Sequence, residues 1–268
     1  MKRISAKPIY FSLVLVFFAI IPTSALGSPV TLSDVPAYNW YHGCSPTAAA
    51  SVIGYWDLHG YQNLFTASAT DVYLTANVQD QISSPEHNAR YDPIPDDLTK
   101  PQSWNSIADF MSTSAGDLGM GWTYINNIPN GITGYASSQS YAFSAWNDYS
   151  SLPSLWTDLV NEINAGRPLM LAVDSSGDGS VDHSIPVLAY DIRGGNDLWY
   201  GAYTTWSEAE TISWFQFRGM SNSYGWGVYN ATIIEPLQPA VPEPSTMLLL
   251  GSGLLGLAGY GRKKFFKK

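Results

Sequence analysis

The sequence predicts an α+β domain with a helix first and an antiparallel sheet after it, and three observations predict this. Apolar residues recur at helical spacing between Ala49 and Trp56. After Leu169, short apolar runs alternate with turns rich in Gly, Asp and Ser. Hydrophobic residues make up 45% and aromatics 14% of the chain, which argues against disorder and for a packed core. Helix before strands is an α+β order, and the stretch 28–240 is long enough for one domain.

The elements follow in order. A helix is predicted over Pro46–Leu58, with Ser45 as N-cap, Pro46 in the first turn where its missing N–H is harmless, and Gly60 as the stop. Ala49, Val52, Ile53 and Trp56 would form its apolar face. From Gln62 to Ser150 the composition reads as loops and a few short strands, with one helix over Trp104–Ser112. Leu155, Leu159 and Ile163 share a helix face that Gly166 ends. Strands are then expected over Leu169–Val173, Ser184–Tyr190, Leu198–Trp206, Thr211–Phe217 and Gly225–Ile234, with a polar tip between Asp174 and Asp182. Pro186 inside a strand calls for an edge or a bulge.

Both ends carry targeting patterns. Lys2, Arg3 and Lys7, the apolar run Ile9–Ile21 and the small residues before Gly27 have the order of a secretory signal peptide over 1–27, cleaved after Ala25 or Gly27. At the other end Val241, Pro242, Glu243 and Pro244 precede the apolar stretch Met247–Tyr260, then Arg262, Lys263, Lys264, Lys267 and Lys268. An apolar stretch with basic residues behind it is a stop-transfer arrangement, and one this short and glycine-rich suits a temporary anchor. Residues 241–268 resemble the Pro-Glu-Pro C-terminal sorting signals of Gram-negative bacteria. That resemblance implies an exosortase as partner and a link to exopolysaccharide and biofilm. The expected itinerary is export, an inner-membrane precursor with its domain in the periplasm, then the cell surface or extracellular matrix.

Between these ends, five basic residues face 21 acidic ones, a net charge of −16. Such a surface excludes nucleic acid and anionic lipid as partners, since both need a basic face. Cys44 is the single cysteine, so the fold holds without disulfides.

Position gives that cysteine a second meaning. At the mouth of a helix, the dipole and the unpaired N–H groups stabilise a thiolate, and the same groups can hold an oxyanion. His183 opens a predicted strand 139 residues downstream, within the spacing expected of a thiol peptidase's base. Gly43-Cys44-Ser45-Pro46-Thr47-Ala48-Ala49, followed by Gly54-Tyr55-Trp56, resembles the nucleophile helix of papain-like cysteine peptidases of the bacteriocin-processing type. Asp182-His183-Ser184 through Ala189-Tyr190-Asp191 resembles that family's histidine strand. The resemblance implies a papain-like fold, with the N-terminal nucleophile helix packed on a C-terminal antiparallel sheet. It also implies Cys44 as nucleophile and His183 as general base and acid, acting on a peptide or protein substrate.

Two departures qualify the site. The family's orienting Asn or Asp stands two residues before a Trp; here that Trp is Trp206 and the position is Thr204. A hydroxyl can accept a hydrogen bond from the imidazole but carries no charge. The oxyanion glutamine is replaced by Tyr38-Asn39-Trp40, where Asn39 offers the one amide. A hydrolase, a degenerate scaffold that binds extracellular polysaccharide or serves adhesion, and a transglutaminase-like acyl transferase all fit this pattern. No cofactor is required, though Asp174, Ser176, Asp178, Gly179 and Asp182 have the spacing of a calcium loop that would stiffen the entry to His183. His42, His59 and His87 lack zinc-ligand spacing.

Overall fold

The computed structural model describes residues 28–66, 75–206 and 211–237. The expected signal peptide over 1–27 and the sorting motif Val241-Pro242-Glu243-Pro244, with its tail, lie outside the described residues. Among the described residues no helix is long and apolar enough to cross a membrane.

Strand β1 (Val30–Thr31) leads into α1 (Cys44–Leu58), followed by α2 (Ala76–Ile82), α3 (Pro85–Tyr91), α4 (Ile107–Met111) and α5 (Asn127–Ser138). Strand β2 (Phe143–Asp148) and helix α6 (Leu152–Asn164) precede β3 (Leu169–Asp174), β4 (His183–Arg193), β5 (Asp197–Ala202), β6 (Ser213–Gln216) and β7 (Gly227–Pro236). All strands are antiparallel, in the order β2-β7-β3-β4-β5-β6, with β1 beside β4. The chain is thus α+β, helices first and antiparallel sheet after.

Helix α1 is buried on every side from Ser45 to Trp56, not along one face as its periodicity suggests. Ala48, Ala49 and Ala50 let the sheet and the other helices approach it closely, and Val52 and Ile53 fill the core between them. Each such aliphatic side chain taken fully out of water contributes about 1.5–3 kcal/mol. A second core forms where Leu155, Leu159 and Ile163 of α6 meet Leu169, Leu171, Ile185 and Val187 of the sheet. The helix that positions Cys44 and the strand that starts at His183 are therefore both held from all sides.

Within 62–150, expected as loops and a few short strands with one helix over Trp104–Ser112, the described residues hold strand β2 and four short helices, of which α4 falls inside the expected one. Helices of five to twelve residues are too short to show a periodic stripe and rely on caps and packing. Thr75 caps α2 and Ser84 caps α3, while Ser106 and Asp109 close a capping box on α4. Val78, Ile82, Ile107, Met111, Ile128 and Ile132 anchor them in the core of α1. Pro186 sits in the interior strand β4, yet the ladder tolerates it. Its carbonyl accepts from Tyr203 just past the end of β5, so the missing N–H faces the side where pairing has stopped. A register shift at Val187/Ala189 follows directly.

Candidate active site

Cys44 is the first residue of α1, so the cap is Gly43 and not Ser45. Gly43 has φ +151°, and a Cβ there would lie 2.9 Å from both Pro46 Cγ and Thr113 Cγ2, so only glycine fits. The turn into the helix is clipped by Thr47. Its hydroxyl donates to the Gly43 carbonyl at 2.6 Å and accepts from the Tyr41 amide at 3.1 Å. The Cys44 sulfur is thereby fixed at the mouth of the helix, partly exposed to a cleft.

The cleft, about 280 Å³, is lined by Cys44 and Ser45 on the helical side and by Asp182, His183 and Ser184 on the sheet side. Trp40, Met120, Trp122 and Trp206 form its rim. The structure thus brings together the two residues that sequence spacing paired across 139 positions. One buried bond ties their neighbours, with Ser45 Oγ and Ser184 Oγ 3.0 Å apart.

His183 is 4% exposed and held on three sides. Its Nε2 lies 2.8 Å from the main-chain carbonyl of Thr204, a group that only accepts, so Nε2 carries the proton and donates. In the neutral ring this leaves Nδ1 as an unprotonated base. Trp206 stacks on the imidazole at 4.2 Å between centroids and 25° between planes, and Trp226 meets it edge-on at 6.1 Å. Thr204 occupies the orienting position, but through its backbone carbonyl; its hydroxyl instead accepts from the Trp206 amide at 3.4 Å. Thr205, 1% exposed, adopts φ +62°, a region costly for a β-branched residue. Its carbonyl accepts the Trp40 amide at 2.6 Å, which pins the turn that presents the Thr204 carbonyl.

Burial pushes the Cys44 thiol up, against the lowering effect of polar groups on Ser184 and Ser45. It likewise lowers His183, against the raising effects of the Thr204 carbonyl and Asp182. Burial thus works against the thiolate that a helix terminus alone would favour.

Asn39 lies next to this cleft but does not line it. It borders a neighbouring hollow with Trp40, Thr205 and Trp206, and its Oδ1 is buried without a partner. Of the acidic tip, Asp174 is buried, Asp182 half-buried and Asp178 exposed. Asp174 accepts from the amides of Gly177, Asp178 and Gly179 at 2.6, 3.2 and 2.7 Å and from the Ser176 hydroxyl at 3.3 Å. Burial raises the Asp174 carboxyl, but these donors prevail and hold it below the usual range. Asp178 accepts from the Ser180 amide and Asp182 from the Ser175 amide. The oxygens expected to meet a cation are occupied by the loop's own N–H groups, and among the described residues no three His, Cys, Asp or Glu side chains converge to hold a metal.

Two features had no sequence signal. One is the Ser45–Ser184 contact. The other is a fully buried pair in which His87 Nδ1 lies 3.0 Å from Asp109 Oδ1 and Nε2 lies 3.0 Å from the Thr113 carbonyl. That pair braces Thr113, whose methyl packs at Gly43 and whose hydroxyl meets Thr123 at 2.8 Å in the cleft wall.

A family model described as the Peptidase_C39 like family matches residues 32–224, and one described as the PEP-CTERM protein-sorting motif matches residues 240–263. No curated protein matches the chain. Among solved structures, UfSP from C. elegans is similar at 12% identity and a TM-score of 0.39, over 83% of this chain but only 36% of its own. A recombinant stem bromelain precursor is similar at 12% identity and 0.36, over 83% and 74%. Bromelain from Ananas comosus in complex with the E64 inhibitor is similar at 12% and 0.35, over 78% and 95%.

Proposed function

The chain belongs to the Peptidase_C39 like family, and from that premise we propose that its domain is a thiol peptidase with Cys44 as nucleophile and His183 as base and acid. The α+β, papain-like arrangement of helices on an antiparallel sheet is the setting for this chemistry. The observation that carries the reading is the hydrogen bond from His183 Nε2 to the Thr204 carbonyl, which reserves the lone pair of Nδ1 for the cleft that holds Cys44.

The reaction balances with these two groups. Nδ1 takes the proton of Cys44 as Sγ bonds to the substrate carbonyl carbon, and the carbonyl electron pair moves onto oxygen. The Cys44 and Ser45 amides at the open helix end are placed to receive that oxyanion. Collapse of the intermediate breaks the C–N bond, and His183 returns its proton to the departing amine. Water, deprotonated by Nδ1, then adds to the thioester carbon, the C–S bond breaks to release the acid, and the Nδ1 proton returns to the Cys44 sulfur.

The PEP-CTERM motif implies processing by an exosortase and an exported protein sorted to the cell surface. We place the peptidase there, entering the export route through residues 1–27, passing through a membrane-held precursor and finally meeting peptide substrates in the extracellular matrix. The test is hydrolysis of a mixed peptide library by the purified domain and by Cys44→Ala. Cleavage that vanishes in the variant and under a papain-type epoxide inhibitor supports the reading. An intact library with both proteins would favour the scaffold that binds matrix polysaccharide.

A further inference from the structure

Aromatic side chains are costly to leave in water, yet half of the exposed ones among the described residues stand around a single hollow. It measures about 550 Å³ and shares the wall of Trp122 and Val181 with the cleft that holds Cys44. Trp122, Tyr124, Tyr149 and Tyr229 around it are 53, 59, 50 and 44% exposed. The hollow is braced from within the fold. Tyr149 donates its hydroxyl to Asn126 Oδ1 at 3.1 Å and meets Tyr229 edge-on at 5.7 Å. The Ile125 carbonyl accepts from Asn147 Nδ2 at 3.0 Å, which fastens this segment to β2.

The lining discriminates among ligands. Among the described residues no Asp, Glu, Lys, Arg or His borders the hollow, and the stretch between the two ends carries a net charge of −16. An acidic polymer therefore finds no counter-charge there. The Trp122 amide and the Trp122, Tyr124 and Ile125 carbonyls are spent within the fold, so a peptide main chain finds few partners. The Tyr124 and Tyr229 hydroxyls, the Trp122 indole N–H and the Asn126 amide nitrogen bond nothing among the described residues and face solvent. Ring faces with uncharged donors at their edges match a sugar. Its C–H face is slightly positive toward the negative π face, while its hydroxyls accept from the donors around it.

We propose that this hollow binds a neutral glycan, with its sugar rings stacked on Trp122 and the three tyrosines. The site goes beyond the peptidase reading and stands without it, since binding involves neither Cys44 nor His183. The test is isothermal titration of the purified protein with neutral glucose and N-acetylglucosamine oligosaccharides, beside an oligouronate and a peptide rich in Phe and Leu. At least one neutral chain should bind, and the uronate should not. Trp122→Ala and Tyr229→Ala should each weaken that binding about fivefold, as for a lost aromatic contact, while Trp104→Ala, an exposed ring outside the hollow, leaves it unchanged. Thermal midpoints measured alongside separate these losses from unfolding. No binding of any neutral chain, undiminished binding in Trp122→Ala and Tyr229→Ala, or a preference for the uronate would overturn the assignment. Binding of the peptide alone, lost in the same two variants, would give the hollow to a polypeptide and overturn it as well. Sugar binding that persists in a protein unable to cleave peptides would leave this site in place and count only against the peptidase reading.

Discussion

Thr204→Ala should leave the reactivity of Cys44 within about threefold of the parent, although Thr204 holds the position of the orienting residue. The acceptor that fixes the imidazole is the main-chain carbonyl at 2.8 Å, which alanine retains. What the substitution removes is a 3.4 Å bond from the Trp206 amide to the hydroxyl. A bond of that length belongs at the bottom of the range of about 0.5–1.5 kcal/mol for a neutral hydrogen bond, and about 0.5 kcal/mol is little more than a factor of two in rate. Had the side chain been the orienter, its loss would approach the roughly 10⁴-fold deficit known for a misdirected catalytic histidine. Trp206→Ala is the contrasting variant. It strips the stacked ring from His183 and opens the Nε2–carbonyl bond to water, which should slow Cys44 by up to about tenfold. The assay is the second-order alkylation rate at neutral pH, with circular dichroism to confirm folding. A folded Thr204→Ala protein slowed a hundredfold would refute the backbone-acceptor argument.

Stability should depend on pH at both ends. Burial lowers His183 in the folded state, so the unfolded chain takes the proton first below about pH 6.5; stability is full above that value and declines as pH falls toward the folded pKa. Burial raises Cys44, so the unfolded chain ionises first and stability declines as pH rises above about 9. Melting curves of His183→Gln and Cys44→Ala should flatten the acid and the alkaline limb respectively. His87→Ala leaves Asp109 buried without its partner and should cost about 3–5 kcal/mol, read as a lower denaturant midpoint. Gly43→Ala forces a Cβ against Pro46 and Thr113 at φ +151° and should cost about 1–3 kcal/mol, with slower alkylation as Cys44 shifts.

How far the sequence could be read depended on whether each feature has a residue-type signature. A proline one position past a serine, beside an Ala-rich run, announced α1, although its start came two residues earlier than the cap rule suggested, because Gly43 and the Thr47 hydroxyl shape the turn. Alternating apolar strands after Leu169 announced the sheet, and Cys44 with His183 stood out by chemistry and spacing. The helix expected over Trp104–Ser112 is present as the shorter α4, while α2, α3 and α5 were silent, since their order comes from caps and from side chains in a core assembled by distant segments. The Thr204 carbonyl was silent for a deeper reason, since a main-chain acceptor looks the same in every residue. Ser45 and Ser184 look like ordinary small polar residues until the fold sets them face to face. The acidic tip carries two meanings in sequence. Carboxylates spaced for a cation are equally well spaced to satisfy the amides of their own turn, and the buried Asp174 accepts from those of Gly177 and Gly179.

The central claim is that an imidazole nitrogen in the cleft activates the single sulfur of this chain. Alkylation of Cys44 at pH 7 in the parent and in His183→Ala tests it directly, with labelling read by mass spectrometry. The variant should react at least about tenfold more slowly, in keeping with the usual contribution of a positioned base. Equal rates in the two folded proteins would contradict it.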